Sequence, residues 1–234
     1  MITISNVSVF GWDAAIRGMR NPMNSWDKSD SYFCKECVNQ EVDPHDCPID
    51  NTGDDIEKYY FNGCHIIGEN DLKLMKSLSK AGSDHGKFLR MINVSFDLCA
   101  PLYFLKEWDT YKVGTVANSC STMHKIHAKE FTLDDFSHEH LELNFNRELL
   151  DNIIHCLNVN REKFLETKDK TYWWQMIQLL PSSYNQLRTV QLNYQVLKNM
   201  YHSRKNHKLD EWRDFCKFIE SLPYSELITG VEEK

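Results

Sequence analysis

Nine residues near the middle of the chain, MINVSFDLC (91–99), constrain the fold more than any others. Ile92, Val94, Phe96 and Leu98 point one way, while Asn93, Ser95 and Asp97 point the other. A period of two is the pattern of a strand with one buried and one polar face. This is the clearest strand in the chain. The N-terminal ITISNVSVF alternates in the same way and reads as a second strand, followed by a short helix over AAIRGMR that stops at Asn21–Pro22.

The remaining elements read mostly as helix. DLKLMKSLSKAG places Leu72, Met75 and Leu78 on one face, with Gly82 where a C-terminal cap belongs. PLYFLKEWDTY begins a helix at Pro101. NRELLDNIIHCL, KTYWWQMIQLL, RTVQLNYQVLKNMYHSR and LDEWRDFCKFIESL read as four more, the second ending at Pro181 and the last at Pro223. VGTVANSCSTMHK has small residues and little amphipathic pattern, and reads as a loop that brings backbone close to a ligand. Strands early and helices late favour an α+β fold, a mixed or antiparallel sheet with flanking helices, over a doubly wound α/β fold. Neither a GxGxxG after a strand nor a GxxxxGK[ST] is present, so the Rossmann and P-loop fingerprints are absent.

A length of 234 residues suits one substantial core, and 1–234 reads as a single domain. Within it, residues 22–60 read as a long surface insertion: from Glu36 to Glu57 there are eight acidic residues, no Lys or Arg, and no apolar periodicity. Cys34 and Cys37 form a CxxC pair there, with His45 and Cys47 close behind. Four soft ligands in one loop could hold a structural zinc ion, and the insertion could then dock a partner protein; the other reading is a loop with incidental thiols. Cys99, Cys120, Cys156 and Cys216 sit singly inside regular segments and read as buried, reduced thiols of a cytoplasmic protein. There is no apolar run long enough to cross a bilayer and no signal-peptide pattern at the N-terminus. The net charge of −7 argues against a protein that coats nucleic acid.

Two segments carry groups suited to chemistry. Asn118-Ser119-Cys120-Ser121-Thr122, with His124 and Lys125 behind it, combines small hydroxyls, backbone N–H groups and cationic side chains. It reads equally as a phosphate cradle or as a capping segment. The helix read over Arg188–Arg204 has Val190, Tyr194, Leu197 and Tyr201 as its apolar stripe. Asn193 and Arg204 lie in line roughly 16 Å apart, and Asn199 is turned away from them. A Cys120–His124 pair lacks an orienting third group, and no GxSxG elbow is present.

Together these segments resemble the flavin-dependent thymidylate synthases. DHGKFLRMINVSFDLCAP is similar to that family's His-containing turn leading into a strand and Ala-Pro, with His85 on the family's His. TYKVGTVANSCSTMHK stands where the family has an Arg-His-Arg triplet followed by its Asn and Ser, matched here by Asn118 and Ser121. LPSSYNQLRTVQLNYQVLKNMYHSR resembles the family's Leu-Pro and a helix of pattern Asn-x5-Asn-x4-Arg, matched by Asn193, Asn199 and Arg204. The resemblance covers roughly residues 68–222 together with the opening strand and helix.

The resemblance implies a homotetramer with sites where subunits meet. It implies FAD as cofactor, NADPH as reductant, methylenetetrahydrofolate as carbon donor, and reductive methylation of dUMP to dTMP. It assigns His85, Lys112, Asn118, Asn193 and Asn199 to the flavin side, and Ser121, Arg204, Ser119 and His124 to the nucleotide side. The chain also departs from the pattern. The triplet is Thr110-Tyr111-Lys112 or Tyr111-Lys112-Val113, and only Lys112 keeps a charge, without the planar fork of Arg. Ser119 stands where the family has Glu, Met123-His124 where it has Arg-Tyr, and Ile177 where it has a nucleotide-binding Arg. Each lost charge-assisted hydrogen bond is worth ~1.5–3 kcal/mol, and Lys125, His124, Arg188 or Lys205 would have to substitute. Two alternatives therefore accompany thymidylate synthesis: a non-catalytic nucleotide-binding or regulatory protein on the same fold, and a flavoenzyme with an altered nucleotide substrate.

Overall fold

The computed structural model of the chain describes residues 2–33 and 65–230. In chain order its regular elements are β1 (Thr3–Phe10), α1 (Trp12–Arg20), β2 (Tyr32–Phe33), β3 (His65–Ile66), α2 (Glu69–Lys80), β4 (Asn93–Pro101), α3 (Leu102–Trp108), β5 (Val116–Ser119), α4 (Asn144–Thr167), α5 (Lys170–Leu179), β6 (Asn185–Asn193), α6 (Tyr194–Arg204), α7 (Asp210–Glu220) and α8 (Glu226–Thr229). Four strands form one antiparallel sheet in the order β1-β4-β6-β5. The expected α+β class, helices flanking an antiparallel sheet, is the class observed. The possible zinc ligands Cys34, Cys37, His45 and Cys47, and most of the expected insertion, lie outside the described residues. Phe33 pairs with His65 and Tyr32 with Ile66, so the chain leaves and rejoins the described structure through adjacent antiparallel strands.

β4 has the alternation its sequence demands. Val94, Phe96, Leu98 and Ala100 are buried and the residues between them are half-buried. Two elements differ from expectation. Residues 188–193 are strand, and the helix begins only at Tyr194. Val190 and Tyr194 are four apart, a spacing that satisfies both a helical stripe and a strand period. The segment read as a loop contains β5, whose four residues are all exposed, so no apolar period betrays it. Of the cysteines read as buried, Cys216 is buried and Cys99 half-buried, but Cys120 and Cys156 are exposed.

The chain divides into two compact units. The first holds the described residues of 1–3, 98–110 and 118–189. Its core joins Ile126, Phe131, Phe136, Leu150, Leu157 and Met176, with Trp173 and Tyr184 packed against them. α4 and α5 pack together, joined by Lys168 in a left-handed turn and by Asp169, whose carboxylate caps α5 through Thr171 N–H at 2.8 Å.

The second unit holds the described residues of 4–97, 111–117 and 190–234. Trp12, Met75, Phe96, Tyr194, Trp212 and Phe215 dominate its core. A buried ion pair crosses it: Arg20 Nε donates to Asp71 Oδ1 at 2.6 Å, with side chains 5% and 0% exposed. The other Asp71 oxygen accepts from the hydroxyls of Ser29 and Ser31 at 2.6 and 2.7 Å. Arg20 also reaches the carbonyls of Ser25 and Lys28. In return the Asp30 carboxylate accepts the N–H groups of Asn70 and Asp71, capping α2 from outside the helix. This closeness requires glycine at position 68, where a Cβ would fall 2.2 Å from Asp30 Cγ.

Burial pushes the Asp71 carboxyl up, but hydrogen bonds from Ser29, Ser31 and Arg20 outweigh it, and the carboxyl titrates below its ordinary value. Its stabilising contribution is therefore complete above the unfolded pKa of about 3.9 and is lost as pH falls through the lower folded value. Asp71→Ala leaves Arg20 buried and unpaired. Urea denaturation at neutral pH should show a loss of about 3–5 kcal/mol, and this difference from the wild type should shrink as the pH is taken below that of an ordinary carboxyl.

Candidate functional site

In the second unit, α6 organises the residues singled out from the sequence. Asn193 is its N-cap, in extended conformation, and its Oδ1 accepts Val196 N–H at 3.1 Å. Capping explains why the strand ends there: the side chain satisfies a backbone donor that the sheet can no longer serve. The turn carrying Lys112 passes close by. Gly114 has φ +80°, and a Cβ at that position would lie 3.0 Å from Val196 Cγ2 and 3.2 Å from Asn193 Nδ2. Only glycine accepts both the left-handed conformation and the approach.

His85 is exposed and immediately precedes a 3-10 turn, Gly86–Arg90. Gly86 sits beside α6, where a Cβ would be 3.8 Å from Gln195 Oε1. Gln195 Nε2 donates to Asn199 Oδ1 at 3.1 Å. The His85 turn, Gln195 and Asn199 thus form one neighbourhood a turn along the helix from Asn193.

At the far end of α6, half-buried Arg204 is held by aromatic groups. Its Nε donates to the Tyr111 hydroxyl at 3.0 Å, and its guanidinium carbon lies 4.8 Å from the Trp212 ring centre and 5.6 Å from that of Tyr111. Trp212 is fully buried. Sequence reasoning found Arg204 but assigned no role to Tyr111 or Trp212. Tyr111 was visible as a member of the replaced triplet; Trp212 gave no local signal.

Asn118, Ser119, Ser121 and His124 belong to the first unit and are all exposed. Ser121 Oγ accepts the N–H groups of Met123 and His124 at 3.2 and 2.8 Å. The hydroxyl thereby closes a turn, and no helix starts there. Trp173 Nε1 fixes the same turn by donating to Met123 O at 2.9 Å. Cys120 N–H is taken by Leu187 O, and its carbonyl accepts from Gln186 Nε2. Arg188, a candidate substitute cation, donates to Gln186 Oε1 and pairs with Asp109 at 2.6 Å. Neither Arg188 nor the backbone N–H groups of residues 120, 123 and 124 stand unengaged. Among the described residues no three His, Cys, Asp or Glu side chains gather as metal ligands, and no helix is long and apolar enough to cross a membrane.

The fold is similar to two solved structures of the flavin-dependent thymidylate synthase ThyX from Helicobacter pylori, both with FAD and dUMP. One is 16% identical with a TM-score of 0.60, covering 95% of this chain and 96% of the other. The second is 15% identical with a TM-score of 0.62, covering 98% and 97%. At this identity the likeness establishes a shared fold. No family model and no curated protein matches the chain.

Arg204 is set by a face contact and a hydrogen bond of different strength, and mutation separates them. Tyr111→Phe removes only the hydrogen bond and should cost about 1 kcal/mol. Trp212→Ala empties a buried site and should cost about 3–5 kcal/mol. Urea titration of the two variants measures both; equal losses would contradict this ranking.

Proposed function

We propose that this chain is a flavoprotein that binds FAD and a pyrimidine nucleotide, with reductive methylation of dUMP to dTMP as its reaction. One observation carries the reading. Asn193, Asn199 and Arg204, found by resemblance, lie at the cap, on the body and at the last turn of α6, and the His85 turn lies against that helix. The shared fold with FAD- and dUMP-bound ThyX supports it.

The donor set suits the cofactor. FAD presents a pyrophosphate and ring carbonyls, all hydrogen-bond acceptors. The exposed His85 ring, the exposed Lys112 ammonium and the Asn199 amide, whose oxygen is already used by Gln195, offer donors. His85, Lys112 and Asn199 would hold the flavin, with Asn193 fixing the helix start and Asn118 contributing from its strand. Ser121, Ser119, His124 and Arg204 would hold the nucleotide. Bound FAD would supply the hydride chemistry, with NADPH as reductant and methylenetetrahydrofolate as carbon source; the protein's task is binding and orientation.

A homotetramer belongs to the same proposal. α4 and α5 expose Phe145, Leu149, Trp174 and Leu179, at 65, 57, 52 and 46%. β5 ends the sheet with an edge that pairs with no strand among the described residues. Apolar helix faces and an open strand edge are what subunit contacts cover.

A second reading has its own support. The Asp109 hold on Arg188, together with the replacement of the Arg-His-Arg triplet, suits a protein that binds a nucleotide without turning it over. In that case dUMP raises the melting temperature while NADPH is not consumed.

The purified protein should be yellow, absorbing near ~450 nm through the flavin, and denaturation should release FAD. His85→Ala and Asn199→Ala should each weaken FAD binding about tenfold. Colourless protein that takes up no added FAD sinks the proposal. Light scattering should give the mass of four chains, and a Phe145→Glu, Trp174→Glu double variant should give a smaller species; a monomeric wild type would remove the tetramer.

A further inference from the structure

In the first unit, one peptide group ties α5 to the turn that carries Ser121. It joins Met123 to His124. Its carbonyl accepts the indole N–H of Trp173, Nε1 to O at 2.9 Å, and its own N–H donates to Ser121 Oγ at 2.8 Å. The C=O and N–H of a trans peptide point in opposite directions within one rigid plane. Holding the oxygen from one side therefore aims the N–H at the other. Rotation of this peptide about its flanking bonds would break both hydrogen bonds together.

The consequence falls on Ser121. A serine hydroxyl has two acceptor lone pairs and one proton. The N–H groups of Met123, at 3.2 Å, and of His124, at 2.8 Å, occupy the lone pairs. The proton remains, and among the described residues no acceptor takes it. Ser121 is exposed, so its hydroxyl meets a ligand as a committed donor. Accepting two N–H bonds polarises the O–H further. The ligand atom that suits it is an acceptor such as a phosphate oxygen, and an ammonium or amide N–H does not suit it.

Trp173 is well placed to set this arrangement. Its ring is half-buried and packs against the core of Phe131, Leu157 and Met176, so the indole is anchored before it bonds the turn. An indole N–H in such a place ordinarily finds a carbonyl. Here the carbonyl belongs to the peptide that serves Ser121. The ends of the segment are fixed separately: Cys120 N–H donates to Leu187 O, and Ile126 is buried in the same core. Between those ends, Trp173 holds the backbone. Ile177 lies one helical turn along α5 from Trp173, on the same face, and also packs on that core. Met123 and Ile177 both stand where the resembled family has arginines. With those charges absent, a donor fixed in direction carries more of the grip on an anion.

We propose that Trp173 is a positioning residue of the nucleotide site: it fixes the Met123–His124 peptide so that the Ser121 hydroxyl is held as a donor to a phosphate oxygen of the bound nucleotide. This role rests on the nucleotide reading above and adds a residue which that reading does not use.

Calorimetric titration of the full chain with dUMP, beside an absorbance titration with FAD, tests it. Trp173→Phe keeps an aromatic ring against the core and deletes the donor. It should weaken dUMP binding about fivefold to tenfold and leave FAD uptake unchanged. Because Trp173 acts through Ser121, its loss should matter little once the hydroxyl is gone. The Trp173→Phe, Ser121→Ala double variant should therefore bind dUMP about as weakly as Ser121→Ala alone. Hydrogen exchange gives a readout without ligand: the His124 amide should exchange about tenfold faster in Trp173→Phe, while Thr171 N–H, capped by Asp169 at the start of α5, exchanges as in the wild type. Benzothienylalanine at position 173, an isostere of tryptophan that lacks only the N–H, repeats every measurement without a packing change if Trp173→Phe does not fold. Wild-type dUMP affinity in the folded variant overturns the proposal, as do additive losses in the double variant. A parallel loss of FAD marks a merely structural role and overturns it too. A wild type that binds no dUMP overturns the nucleotide reading itself, and this role with it.

Discussion

The switch from β6 to α6 at Asn193 sets the position of most of the residues that matter. The strand is held to the sheet up to this point, with Tyr194 N–H donating to Ile92 O at 3.0 Å. One residue earlier, the Asn193 side chain takes up the N–H of Val196, an orphan donor in the first turn of the helix. Tyr194 locks the change of direction. It is fully buried, stacked edge-on against Trp12, and its hydroxyl donates to Pro223 O at 2.6 Å. Burial and a nearby Glu226 push its phenol well above the ordinary range, so it stays neutral and a donor. A cap is worth about 1 kcal/mol, and burial of an aromatic side chain more than that. The cap therefore chooses where the helix starts, while the core fixes where it points.

The same unit uses charge burial to hold α2. An isolated buried arginine would be costly, yet Arg20 is tolerated because Asp71 and two backbone carbonyls take its donors. Asp71 in turn spends its second oxygen on the serines of the preceding segment. The N-terminal end of α2 is thereby saturated. At its other end the Lys198 ammonium donates to the carbonyl and the hydroxyl of Ser79. The two ends of one helix are thus held differently: by a buried ion pair at one, and by a cation on its last carbonyls at the other.

Legibility in the sequence followed the kind of interaction involved. β4 was readable because burial alternates along it without interruption. α7 was readable because Trp212, Phe215, Cys216 and Ile219 fall on one face and are all buried. Residues 188–193 were not, because Val190 and Tyr194 suit both periods and the exposed Gln191 decides nothing between them. β5 was invisible for a different reason: an edge strand with every residue exposed is specified by its partner, β6, and carries no pattern of its own. At the candidate site, the residues found were those whose spacing survives along the chain. The Tyr111–Arg204 pair spans 93 residues, and no local period encodes a contact of that range.

Tyr111 changes what the missing arginines mean. In the resemblance its position belongs to a charged triplet, and loss of charge there suggests loss of grip on a ligand. In the folded chain Tyr111 grips Arg204 instead. An arginine has five N–H donors in a plane; Tyr111 uses one at Nε, and the Trp212 and Tyr111 rings lie within cation–π range. Ring stacking over the guanidinium face consumes no donor, so this contact by itself orients the side chain without using its edge. A long side chain already fixed by two aromatic rings also loses less freedom when a ligand arrives. Aromatic anchoring of Arg204 is thus a form of pre-organisation, and by itself it does not favour the non-catalytic reading over the catalytic one.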